Sequence, residues 1–483
     1  MGLARELERI ASRHGDKIAV DAHGQRFTFH EWQQQIHRRA LWLTQQGLRS
    51  GDCLALYAAP SVDYLITVWA CFRAGIIAVP INSHHLAGEV APVLRNTSCA
   101  GLFADQEHLS RLNGLDLPAV IVQSPADVFT DGPANESYEG NYPDEMQPAL
   151  IVHTSGTTGR PKGVAHTHQA IFSNLTALHG LWQWTSADVV LHTLPLHHVH
   201  GLLVSVAGSL LAGSTLVFHE RFDAAVVLHA LATQPITLFM GVPTMYYRLV
   251  QQDGPSRFPA MRLFVSGSAP LPLSLAHAFY QRFGMHLLER AGMTEALMIF
   301  SNSSERPLTT GSVGKPLPGI QVRLVDERGQ DVSPFGIGEI WIKSPYLFRG
   351  YWNDPEATTE AFTDGWFRTG DLGRCDADGN YYLVGRIRDV IKSGGVLIFP
   401  SEIEQALLQM PGISDCAVVG IPDAEFGERI KACVVASQPL SAEDVIAHCR
   451  SHLASYKKPA VVEFYDSLPR NAMGKIDRLA LQR

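Results

Sequence analysis

The chain has 483 residues and is 46% hydrophobic, a length of about three domain-sized units with enough apolar material for a large core. Lys and Arg total 39 against 47 Asp and Glu, and no basic block interrupts the net charge of −8. This balance argues against a nucleic-acid partner and requires that an anionic substrate be drawn in by local positive groups. The seven cysteines, at 53, 71, 99, 375, 416, 433 and 449, are scattered and contain no C-x-x-C, which argues against a disulfide framework or a zinc site and points to a reducing, cytoplasmic compartment.

The first residues lack an apolar signal-peptide core, and Glu6 stands where a myristoylation signal has Ser or Thr. The pattern then predicts a strand end at 27–29, a helix over 31–46 stopped by Gly47, and a strand over 53–57. A helix over 62–73 with Gly75 behind it and a strand over 76–80 follow. This alternation predicts an α/β fold with a mostly parallel, helix-covered sheet. Residues 124–146, rich in Pro, Asp, Gly, Asn and Ser, predict a surface loop.

A strand over 149–152 leads into Thr154-Ser155-Gly156-Thr157-Thr158-Gly159-Arg160-Pro161-Lys162-Gly163, and a helix over 168–179 begins soon after. Four hydroxyls, three glycines and two cations share these ten residues. Glycines let backbone N–H groups close on an anion, hydroxyls donate hydrogen bonds and Lys162 adds a point charge, so the stretch predicts a phosphate-holding loop. It is not a Walker A motif, because Pro161 precedes the lysine and Gly163, not a hydroxyl, follows it. The plainer alternative is a solvent-exposed turn.

Further on, a strand over 188–192 runs into Pro195-Leu196-His197-His198-Val199-His200-Gly201. Residues 201–218 carry no charge and touch the lower limit for a membrane span. Their glycines, serines and the turn Ala212-Gly213-Ser214 predict a buried helix and strand instead. Strands over 237–240 and 263–265 end in Gly241-Val242-Pro243 and Gly267-Ser268-Ala269-Pro270. In open α/β sheets ligands lie beyond such carboxyl ends, so these turns are candidates to line one site. After about residue 310, turns and period-2 strands over 322–325 and 338–342 predict an antiparallel subdomain. A smaller α/β unit begins at 389. Ser401 and Glu404 predict a capping box at its first helix, and Gly474-Lys475 lies near the end.

In that order, Thr154 to Gly163, Gly292-Met293-Thr294-Glu295, Phe367-Arg368-Thr369-Gly370-Asp371-Leu372, Gly385-Arg386 through Gly394-Gly395, and Pro469 to Lys475 resemble the motifs of the adenylate-forming superfamily. That superfamily holds acyl-CoA synthetases, firefly-type luciferases and peptide-synthetase adenylation domains. The resemblance implies a two-step reaction: ATP turns a carboxylate into an acyl-adenylate with loss of pyrophosphate, and a thiol then attacks. It implies a domain over 1–387 that binds ATP and acid, and a mobile domain over 388–483 that carries Lys475, the residue that reaches the carboxylate during adenylation. Thr154, Ser155, Gly156, Thr157, Thr158 and Lys162 would hold the β and γ phosphates. Thr294 would touch the α-phosphate and Glu295 would bind Mg2+. Asp371, with Arg386 beside it, would accept from the ribose, and Gly267, Ser268 and Ala269 would lie along adenine. The hinge falls at Arg388, where family members carry Asp or Lys, and Gly394 and Gly395 would face the pantetheine arm of CoA. Ala291 departs from the aromatic residue that stacks on adenine in the family.

Within the superfamily, Pro195 to Gly201, Gly241 to Arg248 and Glu289 to Glu295 are similar to malonyl-CoA and methylmalonyl-CoA synthetases. A dicarboxylate leaves one carboxylate unreacted, and burying it unpaired is costly. Arginine's planar fork is its natural partner, so Arg248 and Arg290 are candidates. Each has an alternative: Arg290 pairing with Glu289 or Glu295, and Arg248 simply exposed on its helix. His198 is expected to wall the acyl pocket, and His200 reads equally as pocket or core. Rival functions are ligation of another short or aryl acid to CoA, loading of a carrier-protein thiol, and nucleotide binding without catalysis.

Overall fold

Two mostly parallel sheets sandwich a layer of helices. The structure is a computed structural model that describes residues 2–124, 138–154, 161–305, 308–470 and 476–482. Among these, one seven-stranded sheet runs in the order Gly350–Tyr351, Lys162–Thr167, Pro148–Thr154, Ile77–Pro80, Cys53–Tyr57, Gly101–Asp105 and Val120–Ser124. A nine-stranded sheet has Leu287–Met293, Leu263–Ser266, Leu238–Gly241, Val189–His192, Thr215–Phe218 and Ile18–Ala22 as its parallel centre. The helix Val62–Ala74 is buried on every side, as a helix between two sheets must be. Its Trp69 and Phe72 share one core with Leu54 and Leu150 of the first sheet and Leu238 and Val265 of the second. Gly75 ends this helix at a left-handed φ of 72°, a conformation open to glycine at little cost.

The uncharged run also follows its pattern. A π-helix, His200–Ala207, continues into Gly208–Leu211 and, after a turn, the strand Thr215–Phe218, and nearly all of it is buried. No helix among the described residues is long and apolar enough to cross a membrane.

Gln321–Val325, Gly338–Lys343, Trp366–Cys375 and Tyr381–Arg386 pair antiparallel in a third sheet, as the period-2 pattern requires. The last sheet is built on the long hairpin Ile413–Asp423 and Gly427–Ala436. Helices Pro400–Leu407 and Ala442–His452 cover it through Ile403, Leu407 and Val445.

Two expectations need correction. The helix at 400 opens on Pro400 with Phe399 as N-cap, and no side chain caps it. Proline's fixed φ suits the first helical position, which displaces the predicted capping box. Ser401 instead donates to the Val384 carbonyl, and Glu404 accepts from the Val418 amide at 2.7 Å. Second, Lys162 and Gly163, expected on the phosphate loop, belong to a strand. Pro148–Thr154 and Lys162–Thr167 pair antiparallel, with Thr154 opposite Lys162, and only then does the helix His168–Leu181 begin.

Candidate active site

The predicted nucleotide residues gather where the first sheet meets the antiparallel sheet. Ser155, Gly156, Thr157 and Thr158 lie outside the described residues, and so does Lys475. Lys162, at the described end of that stretch, is held by its neighbours. The ammonium of Lys162 sits over the ring of Tyr351, 4.7 Å from its centroid. The Tyr351 hydroxyl donates to Glu295 Oε1 at 3.2 Å. Edge strand Gly350–Tyr351 pairs with Lys162–Thr167, and the Trp352 amide donates to the Gly163 carbonyl at 2.6 Å.

Thr294 and Glu295 occupy the turn between Leu287–Met293 and Leu297–Ser301. Buried His166 donates from Nε2 to the Thr294 carbonyl at 2.6 Å, and the Phe348 amide donates to the Glu295 carbonyl at 2.8 Å. Gly292 fits because a Cβ there would lie 2.1 Å from the Leu297 carbonyl oxygen. Burial pushes the Glu295 carboxyl up, opposed by its own amide, Tyr351 and the charge of Arg386. Arg386 Nε meets Asp371 Oδ1 at 2.9 Å across neighbouring strands. Asp371 and Ala291 share the lining of a small cavity of about 20 Å³ with Phe300, Ile340 and Leu383.

A second group of predicted residues lies against the turn Gly267-Ser268-Ala269, of which Gly267 is buried and the other two are exposed. The guanidinium of Arg290 packs on Gly267, where a Cβ would come within 2.5 Å of Cζ. Gly267 therefore makes room for the arginine. Arg290 is 3% exposed, and its Nε and Nη2 have no hydrogen-bond partner among the described residues. Burial lowers its pKa to about 10. Neither expected carboxylate pairs with it: Glu289 Oε1 accepts from the Leu271 amide at 3.1 Å, and Glu295 faces Tyr351. Burial also pushes the Glu289 carboxyl up to about 7.

His200 opens the π-helix, and its Nδ1 lies 3.1 Å from Ser268 Oγ. Its Nε2 is buried without a partner among the described residues, as is Ser266 Oγ. Burial first, then the charge of Arg290, holds the His200 imidazole well below its usual range and hence neutral. His198 is half-buried, with its ring 4.0 Å from that of His197. Arg248 is not brought to this group. It lies on the exposed side of the helix Pro243–Gln251, two residues beyond buried Tyr246, whose hydroxyl donates to the Val265 carbonyl at 2.6 Å.

In the C-terminal part, Arg388 is exposed in the short turn Ile387–Asp389. Gly394 and Gly395 form a hairpin tip with φ of 58° and 79°. Arg478, just beyond the Lys475 segment, ties this unit together. Its Nη2 meets Glu404 Oε1 at 2.8 Å, its Nη1 donates to the Val418 carbonyl at 2.5 Å, and its Nε lies 3.6 Å from Asp389 Oδ2.

Tyr351, Ser266 and Glu289 were not singled out as site residues in the sequence. Tyr351 stands in Arg349-Gly350-Tyr351-Trp352, a stretch with no spacing that marks it, and it reaches the site only through strand pairing.

Two mostly parallel sheets with helices between them, an antiparallel strand pair flanking the glycine-rich stretch and a small terminal α/β unit define a nucleotide-using enzyme class, and comparison agrees. Residues 7–352 match the family model described as AMP-binding enzyme, and residues 402–475 match the AMP-binding enzyme C-terminal domain. The chain belongs to the AMP-binding enzyme family. It is 38% identical to the mitochondrial malonate–CoA ligase ACSF3 of Homo sapiens, over 97% of this chain and 90% of that one. It is 35% identical to a malonate–CoA ligase of Arabidopsis thaliana, over 98% and 87%. Among solved structures, ATP-bound MatB from Rhodopseudomonas palustris is similar at a TM-score of 0.93 and 33% identity, covering 100% of this chain and 98% of that one.

Proposed function

We propose that this chain joins malonate, or its 2-methyl homologue, to coenzyme A. It is an ATP-dependent, AMP-forming acid–thiol ligase that passes through an acyl-adenylate. The observation that carries the choice of acid is Arg290, a buried guanidinium with no carboxylate partner among the described residues, beside neutral His200 and the Ser266 hydroxyl. A monocarboxylate leaves these groups unbonded. A dicarboxylate supplies a second anion whose geometry matches the arginine fork. The malonate–CoA ligases of similar sequence support the same choice.

In the first step an acid oxygen attacks the α-phosphorus of ATP and pyrophosphate leaves. Thr154, Ser155, Gly156, Thr157, Thr158 and Lys162 hold the β and γ phosphates, and Thr294 holds the α-phosphate. Asp371 takes the ribose hydroxyls beside Arg386, and Gly267, Ser268 and Ala269 flank adenine. The wall at 267–269 thus has two faces, the base on one and the Arg290 pocket on the other. Lys475 bridges the acid and the α-phosphate. Its charge and those of the clamp stabilise the charge that develops as pyrophosphate departs. Glu295 suits Mg2+: no group of three or more His, Cys, Asp or Glu among the described residues forms a cage, and a hard ion with one carboxylate takes its remaining ligands from phosphates and water. When bound, the ion neutralises phosphate charge.

In the second step the CoA thiol attacks the adenylate carbonyl and AMP leaves. Residues 388–483 rotate about Arg388 between the steps, removing Lys475 and bringing Gly394 and Gly395 to the pantetheine arm. The cysteines are all free thiols, which supports a reducing compartment, the cytoplasm.

The test is AMP release with ATP, Mg2+, CoA and a panel of malonate, methylmalonate, succinate, acetate and butyrate. Malonate is expected to exceed acetate in kcat/KM by about a hundredfold, and Arg290→Ala to remove most of that margin while acetate changes by no more than about threefold. A uniform drop removes the assignment to Arg290. AMP formation from a carrier-protein thiol but not CoA changes the acceptor, and no AMP with any acid removes the ligase reading.

A further inference from the structure

We propose that Tyr351 is a positioning residue of the nucleotide site. Its ring and hydroxyl hold the Lys162 ammonium and the Glu295 carboxylate apart and aimed before ATP arrives. The inference rests on the reading of those two groups as phosphate and metal ligands.

Tyr351 itself is fixed from several sides. Its strand is the edge of the seven-stranded sheet, with Gly350 opposite Ala165 and Tyr351 opposite Val164. The Arg349 amide donates to the Ala165 carbonyl at 2.8 Å, and the Tyr351 amide donates to Thr358 Oγ1 at 2.9 Å. Behind the ring stands Phe348, edge-on at 4.9 Å between centroids, and the amide of Phe348 is the one that donates to the Glu295 backbone. One short segment therefore grips both the main chain and the side chain of Glu295.

The ring then meets two groups of opposite charge at two different places. Its face takes Lys162, whose Nζ lies 4.7 Å from the centroid, and its hydroxyl takes Glu295 Oε1 at 3.2 Å. Lys162 and Glu295 thus share one tyrosine as neighbour, yet they make no ion pair with one another. The consequence is chemical. A lysine bonded to Glu295 would have to break that bond to reach phosphate, and a Glu295 neutralised by lysine would be a poor cation ligand. The aromatic face restrains a side chain with four rotatable bonds without neutralising it. The phenol spends one lone pair of Glu295 and leaves the others for a cation.

Tyr351→Phe keeps the ring and loses the hydroxyl, whereas Tyr351→Leu loses both. Each is compared with wild type by equilibrium titration of ATP in EDTA, and by the paramagnetic resonance of free Mn2+ titrated into the enzyme with ATP. Tyr351→Phe is expected to bind metal-free ATP within about twofold of wild type and Mn2+ about fivefold more weakly. Tyr351→Leu is expected to weaken both by about fivefold. Unchanged Mn2+ affinity in Tyr351→Phe overturns the role of the hydroxyl, and unchanged metal-free ATP affinity in Tyr351→Leu overturns that of the ring. A Glu295→Gln control separates failures: if it binds Mn2+ like wild type, the metal reading of Glu295 falls, not the positioning by Tyr351.

Discussion

On the nucleotide side Asp371 meets Arg386 at 2.9 Å, Glu295 meets Tyr351 at 3.2 Å and Lys162 rests on an aromatic face. On the acid side Arg290, His200 and Ser266 are at least as deeply buried, and each leaves a side-chain donor or acceptor unbonded among the described residues. On the proposed function, the contrast follows from what each half must do. ATP brings its own charges and can displace weak, partly exposed pairings as it docks. A small diacid has little surface to contribute, so its selectivity has to come from polar groups that are satisfied only when the right ligand is present. Unbonded buried groups lower the stability of the empty protein, and recognition of the second carboxylate offsets that loss.

The largest effect should come from neither wall but from the residue that serves both. Lys475→Ala is expected to lower adenylation, read as acid-dependent pyrophosphate release, by about a thousandfold, or about 4 kcal/mol. Thioester formation from supplied acyl-adenylate should stay within about threefold, since the proposed rotation takes the lysine out of the site for that step. Equal losses in both half-reactions would contradict the rotation.

Next is the counterpart of the acid pocket in the C-terminal unit, where a buried charge does have its partner. Arg478→Met strands Glu404, a carboxyl that burial pushes up and Arg478 pulls down. It should destabilise that unit by about 3 kcal/mol in urea denaturation. Arg290→Met has the opposite sign. It removes a buried guanidinium whose Nε and Nη2 have no partner among the described residues, and should raise stability by about 1 kcal/mol while abolishing the malonate-induced rise in Tm. A less stable Arg290→Met protein would mean that the arginine has structural partners and that the two halves do not differ as argued.

How much of this was legible in the sequence depended on range. Cys53–Tyr57 follows directly from an apolar run, and Val62–Ala74 from one closed by a left-handed glycine. Local signals failed where a longer contact took over, as at Ser401, which bonds to Val384, and Glu404, which serves Val418 and Arg478. The same holds in the site. The hydroxyls and glycines of 154–163 were read as a phosphate loop, yet the strand geometry of Lys162 needed Pro148–Thr154 as a partner. Arg290 was legible as a candidate, but its lack of a carboxylate partner was not, because Glu289 is drawn off by the Leu271 amide. Arg248, for which exposure on its helix was the alternative, does face outward, while Arg290 faces in.

The smallest expected effect concerns the one position where the nucleotide wall is thin. Ala291 stands directly opposite Phe300 on the neighbouring strand, so the two side chains share a face, and Tyr381 stacks on Phe300 at 4.7 Å. The cavity that Ala291 lines, about 20 Å³, has room for a water but not for a ring. A tyrosine at 291 is therefore forced toward the mouth, where a base stacked on it would gain about 1 kcal/mol. Ala291→Tyr should lower the KM for ATP about fivefold and leave the KM for malonate unchanged, because the proposed sites put the turn at 267–269 between base and acid. If both constants move together, the two faces of that wall are coupled and the division between a paired nucleotide side and an unpaired acid side is too sharp. If neither moves, the base lies away from Ala291 and is held by the 267–269 turn alone.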